Sequence, residues 1–412
     1  MMTSRLCILI ILTSLSTKVL AVPSDGEREF KIEQRYLNLP IKNVVTKKKK
    51  GTASREVTLL VDGKVVVRND IQLADGEPDW WAPMEVGAWK GKTITLQVKG
   101  LPENSKALSS IEQSDTIRDS ENLYREPLRG QFHFSAKRGW NNDPNGMVFF
   151  NGEYHMFFQH NPYGWGSGNK HWGHAVSKDL IHWDELGDKL APDEMGMMFS
   201  GSAVVDWNNT CGFGQQGKPP MVLIYTANGN QSQNLAYSTD GRSVTKYQGN
   251  PVIPHLAEAG GIRDPKVIWH APTKQWVMTL FVREIDKHYM IYFFTSSNLQ
   301  DWKYTSKTEG LFECPDFFEL PVDNDAAKKK WVLTAASSEY MIGSFDGTTF
   351  TPETKLLPGH GGIGKNFYAA QTFSDIPEKD GRRIQIGWWQ TVPARFWSFS
   401  SSNAAKPAQA DV

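Results

Sequence analysis

Three carboxylates of the 412-residue chain stand among residues that would fit them for nucleophilic or acid–base chemistry. Asp143 lies in Trp140-Asn141-Asn142-Asp143-Pro144-Asn145-Gly146, where Asn, Pro and Gly around an acid predict a tight turn that exposes its carboxylate. Asp264 lies in Gly260-Gly261-Ile262-Arg263-Asp264-Pro265. The adjacent guanidinium is expected to keep it ionised, and Pro265 to fix the backbone beside it. Glu313 lies in Leu311-Phe312-Glu313-Cys314-Pro315-Asp316, between apolar residues, surroundings in which a carboxylic acid holds a proton to donate. Taken singly, each also fits a plainer role: a turn cap, a structural ion pair, a surface acid on a strand.

Two carboxylates on opposite sides of a glycosidic bond are what glycoside hydrolysis requires, one charged to attack and one protonated to release the leaving group. The three acids are far apart in sequence, so some repeated element must bring them together. Such a repeat is visible. Ser177-Lys178-Asp179 recurs as Ser238-Thr239-Asp240, Ser296-Ser297-Asn298 and Ser344-Phe345-Asp346, at intervals of 61, 58 and 48 residues. Each copy reads as a polar turn between strands such as Met221–Tyr225 and Trp276–Leu280. Several short strands per period of about 50 residues predict a β-propeller, whose radial repetition leaves few exposed edges. Equivalent positions of successive blades then converge on one end of a central axis. No long helical periodicity appears, which disfavours βαβ folds.

Upstream, Val57–Val61 and Lys64–Val67 flank an Asp62-Gly63 hairpin signal, and Thr93–Val98 alternates as a strand. Residues 22–101 therefore predict a small all-β, sandwich-like domain. Residues 102–130 are polar and Ser-rich, as in a linker. The N-terminus reads as a secretory signal over residues 1–21: Arg5, the apolar run Leu6–Leu12, then Val19-Leu20-Ala21. The run is too short to span a membrane. Lysine plus arginine number 45, as do aspartate plus glutamate, so no basic field is present to hold a nucleic acid. The 15 tryptophans offer flat apolar faces suited to sugars, or to a sheet core. Cys211 and Cys314 are the only cysteines after the signal, and no zinc-ligand spacing is present.

The boxes Trp140–Gly146, Arg263-Asp264-Pro265 and Glu313-Cys314-Pro315 resemble those of glycoside hydrolase family 32, the invertases, inulinases, levanases and other β-fructosidases. Asn141 stands where that family usually has Met. The resemblance continues through Phe157–Pro162, Trp172-Gly173-His174, Phe199–Ser202, Phe367–Phe373 and Gly387-Trp388, covering roughly residues 131–390. It implies an all-β protein with a five-bladed catalytic propeller over residues 131–397. It implies a retaining reaction with Asp143 as nucleophile, Glu313 as acid/base and Asp264 as stabiliser. Arg263 would orient the site and bias Glu313. Trp140, Asn142, Gln159, Trp165, Trp172, Phe199 and Ser200 would bind the fructosyl unit. It implies no metal and no cofactor, and a fructose-containing oligo- or polysaccharide as partner. The sequence leaves sucrose, levan and inulin undistinguished, and oligomeric state open. The usual C-terminal sandwich is expected to be missing, with Ser398–Val412 a disordered tail. Two rivals share part of the pattern. An inverting five-bladed glycosidase of family 43 type also uses two Asp and a Glu, and product stereochemistry separates it. A retired carbohydrate-binding protein would show no turnover.

Overall fold

The computed structural model describes residues 24–43, 54–127, 129–130, 133–359 and 367–389. The expected signal (1–21) and tail (398–412) lie outside the described residues. These contain twenty-five strands and two short 3-10 helices, and no helix among them is long and apolar enough to cross a membrane.

The N-terminal segment builds two antiparallel sheets. One has four strands in the order Ser24–Lys31, Thr93–Leu101, Arg55–Val61, Lys64–Ile71. The other has three, Trp80–Glu85, Tyr36–Ile41 and Glu112–Ser114. Ile94, Leu96 and Val98 alternate with more exposed residues along one strand, so a single face enters the core. Leu37, Leu39 and Ile41 meet that face from the other sheet. The Asp62-Gly63 hairpin forms as predicted, with φ of 51° and 74° at its two central residues, the sign a two-residue turn between right-twisted strands requires. The stretch expected as a linker behaves differently at its start. Ala107 and Ile111 are buried in the shared core, and Glu112–Ser114 pairs with Tyr36–Asn38. Arg28 fixes the approach by donating to the carbonyls of Leu108 and Ile111 at 2.7 and 2.9 Å. The polar composition of this stretch hid its few apolar anchors.

Four four-stranded antiparallel sheets follow, each in simple sequence order. They begin with Trp140–Phe150, Met198–Val205, Ala259–His270 and Asp316–Val322; the pair Phe367–Thr372 and Gln385–Trp389 comes last. The first strands are neighbours in that order, and Phe367–Thr372 lies beside both Asp316–Val322 and Trp140–Phe150. The return contact is a parallel bridge of Val148 to Ser374, with Phe149 N–H donating to Ser374 O at 2.9 Å. The repeated Ser-x-Asp segments are the turns between third and fourth strands. Asp179, Asp240, Asn298 and Asp346 each accept two following backbone N–H groups through one side-chain oxygen. The repeat is thus an Asx-type cap that turns the chain at the same point of each sheet.

A buried ion pair ties the last three sheets. Lys266 and Asp316, with side-chain exposures of 2% and 0%, meet at 3.1 Å. Lys266 also donates to Thr372 O at 2.9 Å, and Asp316 accepts from Thr372 N–H at 2.6 Å. Removing one partner strands the other charge in a dry interior. Lys266→Met is therefore expected to cost about 3–5 kcal/mol of stability. Urea unfolding of the variant checks this, and a loss below about 1 kcal/mol would contradict the assigned burial.

Candidate active site

Four of the five first strands share a device that aims side chains at one end of the assembly: a slipped register near the start of the strand. Between Asn141 and Pro144, three steps on Trp140–Phe150 face two on its partner, and Asp143 sits in the slip. The same three-against-two slip occurs between Arg263 and Lys266, around Asp264, and between Tyr368 and Gln371. On Met198–Val205 the extra residue is Ser200, between Phe199 and Gly201. Bulges of this kind redirect a side chain that regular pleating would send into a sheet face. Pro144 and Pro265 have no N–H to give a ladder, which favours the slip at those points. Asp264 itself has φ 64°. Glu313 and Cys314, just before Asp316–Val322, have φ of 40° and 44°. Left-handed backbone at non-glycine residues costs energy and is held by its surroundings.

The polar contacts show which groups meet. Ser200 Oγ donates to Asp143 Oδ2 at 3.2 Å. Asp264 Oδ2 accepts from Cys314 N–H at 3.0 Å, and Asp264 N–H donates to Thr226 Oγ1 at 3.1 Å. Arg263 donates from Nε and Nη2 to Glu313 Oε2 at 3.0 and 2.7 Å, while Tyr368 OH donates to Glu313 Oε1. Arg263 is held in turn over the rings of Phe281 and Phe312. Glu313 is thus not in the apolar setting that its sequence neighbours suggested. Phe312 faces the guanidinium, and the carboxylate is gripped by a cation and a phenol.

Asp264 departs from expectation in the opposite sense. Arg263 Nε lies 3.6 Å from its carboxylate, yet burial pushes the Asp264 carboxyl from an ordinary 3.8 up to about 7. The guanidinium opposes this, but it is shared with Glu313, and the charges of Glu313 and Asp143 reinforce the rise. The sign for stability follows. A folded-state pKa above the unfolded one means the folded protein binds the extra proton between about pH 4 and 7, so stability falls as pH rises through that window. Asp264→Asn removes this dependence. The variant's melting temperature is expected to gain on wild type between pH 5 and pH 8. An unchanged difference between the two melting curves across that range would overturn the assignment.

The remaining predicted residues divide. Asn142 is buried, and its Oδ1 accepts from Trp140 Nε1 at 2.9 Å and from Lys170 Nζ at 2.7 Å. Gln159 is buried and donates to Met198 O at 2.9 Å, leaving its Oε1 without a partner among the described residues. Phe199 is half-buried beside Ser200. Trp172 is different. With 0% exposure it packs on Phe157 and Tyr225 and donates to Phe199 O at 3.0 Å, so it supports the neighbouring bulge and presents no surface to a ligand. Gly146, at φ 57°, is required by that packing, since a Cβ there would meet the Trp172 ring at 2.7 Å. Trp165 is half-buried and lies nearly parallel to Trp80 of the N-terminal sheets, with centroids 6.3 Å apart.

Three residues of the site escaped the sequence reading. Lys170 is largely buried against Asn142; burial lowers its pKa while Asp143, Cys314 and Asp264 pull it back up. Tyr368 and Thr226 reach Glu313 and Asp264 from other sheets. Neither has a local signal beyond its place in a strand. Among the described residues no three His, Cys, Asp or Glu side chains are grouped as metal ligands would be.

The model of the glycosyl hydrolases family 32 N-terminal domain matches residues 133–398, and the chain belongs to that family. A levanase of Bacillus subtilis is 46% identical over 308 residues, 68% of this chain and 44% of that protein. An extracellular exo-inulinase of Aspergillus niger is 39% identical over 331 residues, 66% of this chain and 60% of the relative. Among solved structures, exo-inulinase from Aspergillus awamori superposes with a TM-score of 0.60 at 36% identity, covering 70% of this chain and 63% of that one. A β-fructofuranosidase from Schwanniomyces occidentalis, complexed with fructosyl-erythritol, gives 0.55 at 36% identity, covering 63% and 53%. The chain thus spans about half the length of these curated relatives.

Proposed function

We propose that the protein is a retaining β-fructofuranosidase that releases fructose from levan, inulin or sucrose. The observation that carries this is the joining of Asp264 and Glu313 at Arg263, with Asp143, held by Ser200, close enough for its charge to act on Asp264. In this reading Asp143 attacks the anomeric carbon of the fructosyl unit. Glu313 protonates the departing oxygen and then takes a proton from water. Arg263 fixes the orientation of Glu313 through the two hydrogen bonds it donates to Oε2. Asp264, whose carboxyl burial raises to about 7 in the free enzyme, receives the hydroxyls of fructose and is drawn toward its ionised form as it accepts their hydrogen bonds. Trp140, Asn142, Phe199 and Ser200 line the fructosyl site, and the buried Gln159 supports it through its bond to Met198 O.

The same proposal assigns the architecture. Four sheets and a terminal pair, with neighbouring first strands, are the blades of a five-bladed propeller over residues 131–397. The two N-terminal sheets are a small sandwich. The word "extracellular" in the name of the Aspergillus niger relative, together with the Leu6–Leu12 run, supports export. Incubation with sucrose, levan and inulin in parallel, followed by sugar analysis, tests the function. Fructose is expected from at least one. Its absence from all three would favour a retired carbohydrate-binding protein.

A further inference from the structure

Lys170 brings a positive charge among the acids, and its place is fixed from two sides. His171, His160 and Asn141 are partners in one row across three neighbouring strands. Lys170, one residue ahead of His171, thus lies at the edge of the sheet where Trp140 begins the first strand. On its other side, the buried Asn169 is clamped to the N-terminal sheets. Its Nδ2 donates to Asp70 O and its Oδ1 accepts from Asp70 N–H, at 2.7 Å each.

From this anchor the ammonium donates to Asn142 Oδ1 at 2.7 Å, and Trp140 Nε1 donates to the same oxygen at 2.9 Å. Two donors on one oxygen fix which way the amide points, so its N–H groups are the part left for a ligand. The titratable groups acting on Lys170 come from three strands' starts: Asp143, Asp264 and Cys314. Asp264 in turn faces Arg263, Glu313 and Asp143, and accepts from Cys314 N–H. Arg263 directs its two short hydrogen bonds at Glu313, with Asp264 farther off at 3.6 Å. The ammonium of Lys170 is therefore a second cation set against the two aspartates. An opposite charge nearby favours the ionised form of a carboxylate, whereas two carboxylates in one site oppose each other's ionisation.

We propose that Lys170 is a positioning residue of the fructosidase site: its ammonium is the counter-charge that lets Asp143 and Asp264 be ionised together, and it fixes the Asn142 amide for the fructosyl unit. Its consequence for turnover rests on the β-fructofuranosidase reading; the coupling of charges does not.

Three variants separate charge from hydrogen bond. Lys170→Gln keeps an N–H for Asn142 and loses the charge, Lys170→Met loses both, and Lys170→Arg keeps the charge. For each, kcat/KM is followed against pH on a fructoside that the wild type cleaves. Asp143 and Asp264 titrate as a coupled pair, so the acid limb reports the pair. In Lys170→Gln and Lys170→Met that limb is expected to move up by about one pH unit, a loss of about tenfold at pH 5, while Lys170→Arg leaves it in place. Melting curves give a second readout that needs no substrate. The attraction lost is full when both aspartates are ionised and smaller when Asp264 holds a proton. Lys170→Gln is therefore expected to lose more stability relative to wild type at pH 8 than at pH 5, and the difference to shrink in the Asp264→Asn background. An unmoved acid limb in both uncharged variants, or equal losses of stability at the two pH values, would overturn the proposal. Should Lys170→Met fail to fold, Lys170→Gln carries both readouts. If no fructoside is hydrolysed, the fructosidase reading fails and the melts alone decide the charge coupling.

Discussion

Asp143→Asn is expected to lower kcat/KM on sucrose or fructan by about four orders of magnitude while the protein stays folded. The loss is large because an amide cannot form the acyl-type bond to the anomeric carbon that a double displacement requires. The fold is spared for a local reason. Asp143 is only half-buried, and among the described residues its side chain accepts one hydrogen bond, from Ser200 at 3.2 Å. An amide oxygen accepts that bond equally well. Steady-state rates on the three substrates, with a melting curve beside them, check both halves. Activity within about tenfold of wild type would remove Asp143 from the reaction.

Glu313→Gln costs less and depends on the leaving group. Proton transfer by a positioned acid is worth about 10²–10⁴ in rate, and this is the loss expected on sucrose. A nitrophenyl fructoside needs little help to depart, so its first step survives and the second becomes limiting, since water is no longer activated. Added azide, which attacks without a base, is then expected to restore turnover and yield a fructosyl azide. The gripping of Glu313 by Arg263 and Tyr368 makes this a test of one carboxylate, because neither partner lies free to replace it. A uniform loss on all substrates with no azide effect would assign Glu313 a structural role.

How far the sequence carried depends on how local each signal was. Asp143 and Asp264 were legible because Pro144 and Pro265 follow them, and a proline in an inner strand forces the slipped register that turns the acid out of the sheet. The Ser-x-Asp turns were legible because an Asx cap is complete within four residues. Contacts made across sheets left no such trace. Tyr368 on Glu313, Thr226 on Asp264 and Lys170 beside Asn142 join segments that only tertiary packing brings together. The pairing of Trp165 with Trp80 joins two distant parts of the chain and left no local trace either. Trp172 was placed in the fructosyl site by the resemblance alone, and its complete burial is a product of tertiary packing that the local sequence does not show. For Asp264 the sequence showed the neighbouring arginine but not that Glu313 takes both of its best hydrogen bonds.

The central claim is that Asp143 attacks the sugar and that Glu313 serves both steps. Retention of anomeric configuration follows from it, since two inversions at one carbon restore the starting geometry. Proton NMR of the fructose first released, recorded before mutarotation, reads this directly. The account predicts β-fructofuranose as the initial product. Initial release of the α-anomer would mean a single displacement by water and would contradict the assignment of Asp143 as nucleophile.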